Sequence, residues 1–123
     1  MNEENNSNRE RSIHALETKA SHGDAQAQYE IGAAYHDGDG VPQDLERAVH
    51  WYARACEQGH AEALFRLGML RGAGKGCHAD QAEAQRLLRQ AADQGHKLAQ
   101  VVSEQLAEID EAARKRMGHL GLG

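Results

Sequence analysis

The chain has 123 residues, enough for one domain of ordinary size, and its formal net charge at pH 7 is −5. Because nucleic-acid-binding surfaces are basic, this acidic balance argues against a general nucleic-acid binder. The hydrophobic fraction is 40% but the aromatic fraction is only 4%, so the core must rely on Ala, Leu, Ile and Val. This small-residue core and a single proline favour an all-α protein of thin, closely packed helix layers.

The N-terminal residues are polar and lack the apolar run that a secretory signal requires. No stretch approaches the roughly 18 apolar residues of a membrane span. We therefore expect a cytoplasmic protein with no membrane contact. Residues 1–8 are expected to be disordered, and the first helix is expected over residues 9–22.

An internal repeat with a period of 36 residues follows. A shift by that length superimposes Gly23 on Gly59 and Gly95 without any gap. A fixed period of roughly 20–50 residues is the mark of a repeat architecture. The two full copies comprise residues 23–58 and 59–94.

Each copy is predicted to form two antiparallel helices joined by a glycine-rich turn. In the first copy Ala27 and Ile31, together with Ala34 or Tyr35, form one apolar stripe at helical spacing. Gly32 lies inside this helix, where it costs roughly 1 kcal/mol relative to Ala. We therefore expect a second helix to approach closely at that glycine.

The first helix of this copy is expected to end at the run HDGDG (36–40), because glycine readily adopts positive φ. Asp44 is predicted to cap the second helix, which ends at Gly59. The apolar stripe of that second helix comprises Leu45, Ala48, Trp51 or Tyr52, and Ala55.

The second copy departs from the first at several positions. Asp80 and Glu83 match a D-x-x-E capping box at the start of its second helix. Gly72 is expected to shorten its first helix, and Leu87 with Leu88 replaces the aromatic pair of the first copy. These changes predict a looser second unit.

Partial copies flank the two repeats. Residues 9–22 align with the second helix of a preceding unit. Residues 97–116 begin like a first helix and then diverge, as expected of a cap that ends a helical stack. Residues 117–123 are expected to form a flexible tail. The apolar stripe of the C-terminal helix comprises Leu98, Val102, Leu106, Ile109 and Ala113.

The motifs of the two copies carry a family resemblance. Those of the first copy are AQAQYEIGAAY (25–35), GDGV (38–41), Asp44 and AVHWYARACEQG (48–59). Those of the second copy are AEALFRLG (61–68), GKG (74–76), Asp80 and AADQG (91–95). Together they resemble the Sel-1-like repeat family, a branch of the tetratricopeptide superfamily. Over residues 9–116 this resemblance implies an α-solenoid of antiparallel helix pairs, with two full repeats and flanking capping helices.

The resemblance also implies a non-enzymatic, bacterial, cytoplasmic adaptor that holds another protein or peptide and regulates it. In such a stack the first helices of the repeats line the concave surface. The acidic Glu30 beside the basic Arg66 would orient the partner. The predicted partner-binding residues are Gln26, Glu30, Ala33, His36, Glu62, Arg66 and Met69.

The sequence offers little for catalysis or metal binding. It contains no G-x-S-x-G, phosphate-loop or H-E-x-x-H motif, so we predict no enzymatic activity and no cofactor. Cys56 and Cys77 are too few for a disulfide framework, and they lack paired zinc-ligand spacing. His60 and His96 follow the inter-repeat glycines and are interpreted as polar turn residues.

Two alternatives to the adaptor stay open. The helix over 97–116 could leave part of its apolar stripe exposed and pair with a second copy, giving a homodimeric structural unit. An enzyme or metal protein would instead be built on the His and Cys residues, which requires that the fold bring them together.

Overall fold

The structure, a computed structural model, describes residues 2–119, with the side chains of residue 9 and of residues 11–118. Within that part of the chain there are six α-helices and no strand. Each helix packs on the next one along the chain, so the predicted all-α stack of helix pairs is confirmed. The helices are α1 (Asn2–Ser21), α2 (Ala25–Asp37), α3 (Leu45–Glu57), α4 (Ala61–Ala73), α5 (Gln81–Asp93) and α6 (Lys97–His119).

The two repeats, α2–α3 and α4–α5, share the same start and stop geometry. Gly38 and Gly74 end α2 and α4 in the left-handed region, with φ of 70° and 68°. Asp44 and Asp80 cap α3 and α5, each accepting a hydrogen bond from the backbone N–H three residues further on. The caps predicted at these two aspartates are therefore present.

The helices of each repeat approach most closely at a glycine. A Cβ placed on Gly32 would lie 2.8 Å from Cδ1 of Tyr52, which is fully buried on α3. A Cβ on Gly68 would lie 2.9 Å from Cγ of Leu88 on α5. The close approach expected from these two glycines is confirmed in both repeats.

A buried glutamine joins the first repeat to α1. The side chain of Gln28 is 2% exposed, and its amide donates to the carbonyl of Ala20 at 3.1 Å. Its Oε1 accepts from the amide of Gln58 at 3.0 Å, and that amide also donates to the carbonyl of Gly23 at 2.9 Å. Because every polar group is paired, a polar side chain is tolerated in this core.

Three expectations for the second repeat need correction. Gly72 does not shorten α4, which has 13 residues like α2, because the helix stops where Gly74 adopts its left-handed conformation. The second unit is not looser, since α4 and α5 pack as extensively as α2 and α3. Only half of the capping box forms: Asp80 accepts from the N–H of Glu83, but the Glu83 carboxylate binds Arg86 at 2.6 Å.

The flanking helices are longer than expected. α1 begins at Asn2 rather than at residue 9, so the backbone of residues 2–8 is helical where disorder was expected. α6 continues to His119 rather than 116. Adding residues to a helix that is already docked needs no new nucleus, which favours both extensions. Met1 and residues 120–123 of the expected flexible tail lie outside the described residues.

Candidate functional site

One side of the first helices, which we call the first-helix face, contains six of the seven predicted binding residues, and His36 lies beside it on α2. It consists of equivalent positions on α2, α4 and α6, related by the 36-residue shift. Gln26, Glu30 and Met69 are exposed, and the other four residues are half-buried. The positions that define the face are 26, 29, 30, 33 and 37 on α2, 62, 65, 66, 69 and 73 on α4, and 98, 101, 102, 105 and 109 on α6.

A histidine joins α2 to α4 on this face. Nδ1 of His60 accepts a hydrogen bond from the N–H of Ala63 at 3.2 Å and so caps α4. Nε2 therefore carries the proton and donates to Oε1 of Gln26 at 2.7 Å. The amide of Gln26 in turn donates to Glu30 at 2.9 Å. Burial lowers the pKa of His60, which favours the neutral form that this capping requires.

The same arrangement recurs between α4 and α6. Nδ1 of His96 accepts from the N–H of Ala99 at 3.1 Å, and its Nε2 donates to Oε2 of Glu62 at 2.5 Å. The other carboxylate oxygen of Glu62 accepts from Arg66 at 3.1 Å. Burial opposes ionisation of Glu62, but the bonds from His96 and Arg66 outweigh it and lower its pKa. Two histidine bridges therefore fix α2, α4 and α6 as one continuous face.

Each bridging histidine also stacks on an aromatic ring. The rings of His60 and Tyr29 are 4.9 Å apart, and those of His96 and Phe65 are 4.5 Å apart. These four residues were not among the predicted binding residues. The available signal was their equivalence, because both His and both aromatic positions repeat after 36 residues.

Glu30 and Arg66 do not act as a pair. Glu30 accepts from Gln26, whereas Arg66 binds Glu62 and lies over the ring of Tyr29 at 6.0 Å. The charge of Arg66 is therefore compensated within α4. The orientation of a partner by a Glu30–Arg66 pair receives no support from this geometry.

His36, the remaining predicted residue of α2, lies at the edge of a buried tyrosine. Its ring meets that of Tyr52 edge-on, with centroids 6.3 Å apart. Burial raises the pKa of Tyr52 to about 12, and the nearby Arg66 partly offsets this effect. The Tyr52 hydroxyl and Nδ1 of His36 have no hydrogen-bond partner among the described residues. His36 and Tyr52 therefore contact each other through their rings and not through a hydrogen bond.

The α6 part of the face is aliphatic. Leu98 is 62% exposed and Val101 is 49% exposed. The equivalent positions on α4 are Glu62 and Phe65. From the sequence, α6 was interpreted as a cap or a self-association helix, and its residues were therefore not included among the predicted binding residues.

The far side of α6 is polar. Gln85 and Ser103 stand where the preceding repeat buries Val49 and Leu67. Together with Arg89 they line an open groove of about 250 Å³ between α5 and α6. Stacking a further helix here would bury the side chains of Gln85 and Arg89, which is unfavourable for polar groups.

Metal-ligating side chains are not clustered in the described part of the chain. Residues 9 and 11–118 contain no cluster of three His, Cys, Asp or Glu side chains that could hold a metal ion. Burial raises the pKa of the Cys56 thiol to about 12, so it is a poor nucleophile. Sγ of Cys77 is half-buried, 3.5 Å from the carbonyl of Lys75. No described helix combines the length and apolar character needed to cross a membrane.

Comparisons with known proteins agree with this architecture. The model of the Sel1 repeat family matches residues 25–60 and 61–96. A Sel1 repeat protein from Oxalobacter formigenes is 39% identical over 79% of this chain, with a TM-score of 0.77. A protective antigen of uropathogenic Escherichia coli, which displays an SLR fold, is 36% identical over 74% of this chain, with a TM-score of 0.70.

Cysteine rich protein B of Helicobacter pylori has the same fold, with a TM-score of 0.70 at 23% identity. That match covers 73% of this chain and 68% of the Helicobacter protein. This chain spans only 28% of the Oxalobacter protein and 20% of the Escherichia antigen. The comparison with curated proteins finds no match. Since the two matched repeats cover more than half of its residues, the chain belongs to the Sel1 repeat family.

Proposed function

We propose that this chain is a non-enzymatic interaction module that binds a segment of another protein on the first-helix face and thereby regulates or positions it. The observation that carries the proposal is the pair of histidine bridges, His60 to Gln26 and His96 to Glu62. They hold three helices in a fixed relation while leaving exposed side chains between them. A preorganised surface loses little conformational entropy on binding, which favours recognition.

The proposal includes a cytoplasmic, bacterial setting and excludes a cofactor. Its partner is a protein or peptide, since the net charge of −5 opposes nucleic acid. The raised pKa of the half-buried Cys56 thiol gives no support to a catalytic alternative. Cell fractionation tests the compartment.

Site-specific photo-crosslinking in cells tests the face. A photoreactive benzoylphenylalanine replaces Ala33 or Met69 on the face, and Glu46 or Gln90 on the exposed sides of α3 and α5. We expect the same crosslinked partner from both face positions and none from the two control positions. Equal crosslinking from all four positions, or crosslinking from the controls alone, would contradict the proposal.

Self-association through α6 is a second candidate function. α6 has 23 residues against 13 in α4 and α5, so its C-terminal part extends beyond the repeat. Ile109 and Met117 in that part are 60% and 54% exposed. Light scattering over a concentration series tests it: Ile109→Glu should abolish any dimer, and a monomer at every concentration contradicts it.

A further inference from the structure

The first-helix face changes its chemistry from α2 to α6. Glu30 of α2 is replaced at the equivalent position of α6 by Val102, and Asp37 is replaced by Ile109. Gln26 of α2 is likewise replaced by Leu98. The face therefore has an acidic end on α2 and an aliphatic end on α6, with α4 between them.

The acidic end has uncompensated charge. Asp39 is paired with Arg9 at 2.8 Å, but within the described residues Glu30 and Asp37 have no cationic partner. They line a groove of about 290 Å³, whose floor includes Leu16. The groove is also lined by Tyr29, Ala33, Ala34, Arg9 and Asp39.

This groove suits a long basic side chain. The aliphatic stem of a lysine or arginine can pack on Leu16 and Ala33, while its charged head meets Glu30 and Asp37. Arg66 does not oppose such a guest, because Glu62 compensates its charge.

The aliphatic end accounts for most of the exposed apolar side chains in the described part of the chain. Five large hydrophobic residues are exposed there, and four of them lie on α6. Leu98, Val101 and Ile109 are on the first-helix face, and the fifth residue, Met69 on α4, is on it as well and is 45% exposed. Burying such a row against aliphatic side chains of a partner is favourable.

We infer that the partner's segment is asymmetric along its length, with lysine or arginine residues against α2 and leucine, isoleucine or valine residues against α6. The inference rests on the proposed function, because it names the chemistry and the direction of a segment on the same face. Opposite charge at one end fixes the register of the segment, and apolar burial at the other end supplies affinity.

Two synthetic peptides test this chemistry. The first carries a block of Lys and Arg, a Gly-Ser spacer and a block of Leu and Ile. The second is identical except that Glu replaces each basic residue. Fluorescence anisotropy with the intact chain should show that the basic peptide binds at least about tenfold more tightly than the acidic peptide. Added salt should lower the affinity of the basic peptide.

Matched variants locate the charge. Glu30→Lys with Asp37→Lys should lower the affinity for the basic peptide about tenfold or more and raise the affinity for the acidic peptide. Glu46→Lys with Glu57→Lys removes the same charge from the exposed side of α3 and should change neither affinity by more than about twofold. Circular dichroism confirms that both variants are folded. Equal losses in the two variants overturn the inference.

A second pair of variants and a spin label test the direction. Leu98→Ser with Val101→Ser should lower the affinity for both peptides. Met117 is also exposed on α6, and Met117→Ser should leave both affinities unchanged. A nitroxide on the basic end of the first peptide should broaden the amide signals of Glu30 and Asp37 more than that of Val101. The reverse order of broadening overturns the inference.

The outcomes separate the inference from the proposed function. If photo-crosslinking from the face captures one partner but the two peptides bind equally, the inference is wrong and the proposed function stands. If neither peptide binds the chain and crosslinking from the face also captures no partner, the inference and the proposed function are both wrong.

Discussion

The two repeats have the same backbone but fill it differently. Where the first repeat buries Gln28 and Tyr52, the second buries Leu64 and Leu88. The helices α2 and α4 nevertheless have equal lengths and equivalent caps. The glycines and cap aspartates therefore specify the shape of the unit, while the interior can be polar and aromatic or wholly aliphatic. The same freedom on the outside lets the first-helix face change from acidic to aliphatic.

The largest expected effect concerns the contact between successive units. A Cβ on Gly76, which has φ of 72°, would collide with the backbone carbonyl of Leu45 at the start of α3. Because a backbone group cannot move aside, Gly76→Ala should lower the free energy of unfolding by about 3 kcal/mol or more. Urea denaturation measures this loss.

Gly23 provides the control for that substitution. It also has positive φ, at 99°, but no atom lies within 4 Å of a Cβ placed there. Gly23→Ala should therefore lose only about 1–2 kcal/mol, the cost of the left-handed conformation alone. Equal losses at Gly23 and Gly76 would show that the collision with Leu45 adds nothing to the cost of the backbone conformation.

The next effect sharpens the comparison of the two interiors. A Cβ on Gly32 meets the rigid ring of the fully buried Tyr52. A Cβ on Gly68 meets the flexible side chain of Leu88 and lies 3.3 Å from the backbone carbonyl of Ala84. Gly32→Ala should lose about 2 kcal/mol from overpacking. Gly68→Ala should lose less than about 1 kcal/mol, because leucine can change rotamer and alanine favours the helix.

Unfolding titrations of both variants test this ordering. Adding Tyr52→Leu to Gly32→Ala should recover part of the loss, because the leucine that the second repeat has at this position replaces the rigid ring that the new Cβ meets. A larger loss from Gly68→Ala than from Gly32→Ala would contradict the steric account.

A smaller effect is expected from the buried glutamine. Gln28→Leu introduces the residue of the second repeat. It also removes the amide that donates to the carbonyl of Ala20 and the oxygen that accepts from the amide of Gln58. The free energy of unfolding should fall by about 1–2 kcal/mol, the cost of an unsatisfied buried group. Leu64→Met, which keeps volume and adds no polar group, is the control and should cost less. A stabilised Gln28→Leu would contradict the role given to this network.

The smallest effect is the pH dependence due to His60. Since burial lowers its pKa below the ordinary 6.5, the unfolded chain binds this proton more readily than the folded one. The stability contributed by neutral His60 is thus fully present above pH 6.5 and is lost as pH falls through the folded pKa. His60→Asn keeps a capping side chain and should reduce the loss of unfolding free energy between pH 7.5 and 5.5. The reduction should be smaller than the value of a helix cap, about 1 kcal/mol.

Unfolding titrations of wild type and His60→Asn at the two pH values measure this difference. An unchanged loss in His60→Asn would show that the acid sensitivity arises elsewhere.

The sequence was sufficient for the repeat, the helix pairs and the buried stripes. A 36-residue period with Asp44, Gly38 and Gly32 at fixed places leaves few other arrangements, and the structure has the cap, the stop and the close approach there. The effect of Gly72 was misjudged, because a glycine ends a helix only where the backbone turns left-handed. Sequence spacing alone does not distinguish that case.

The site could be predicted only in part. The spacing indicates which residues of α2 and α4 share a face, but it does not show which partner each charge binds, so the bond from Arg66 to Glu62 was not foreseen. The role of His60 as cap and bridge depends on the directions of both ring nitrogens. The aliphatic row on α6 was not included in the binding face, because the stripe that contains Leu98 was interpreted as part of a cap or a self-association surface.

The most direct test of the central claim is an NMR map of binding. Amide shifts of the labelled chain are recorded before and after addition of the partner captured from Ala33 and Met69. The account predicts that the largest changes follow the first-helix face from Glu30 through Arg66 to Val101, and that the exposed sides of α3 and α5 remain unchanged. Changes confined to α3 and α5, or to the polar end of the stack, would contradict it.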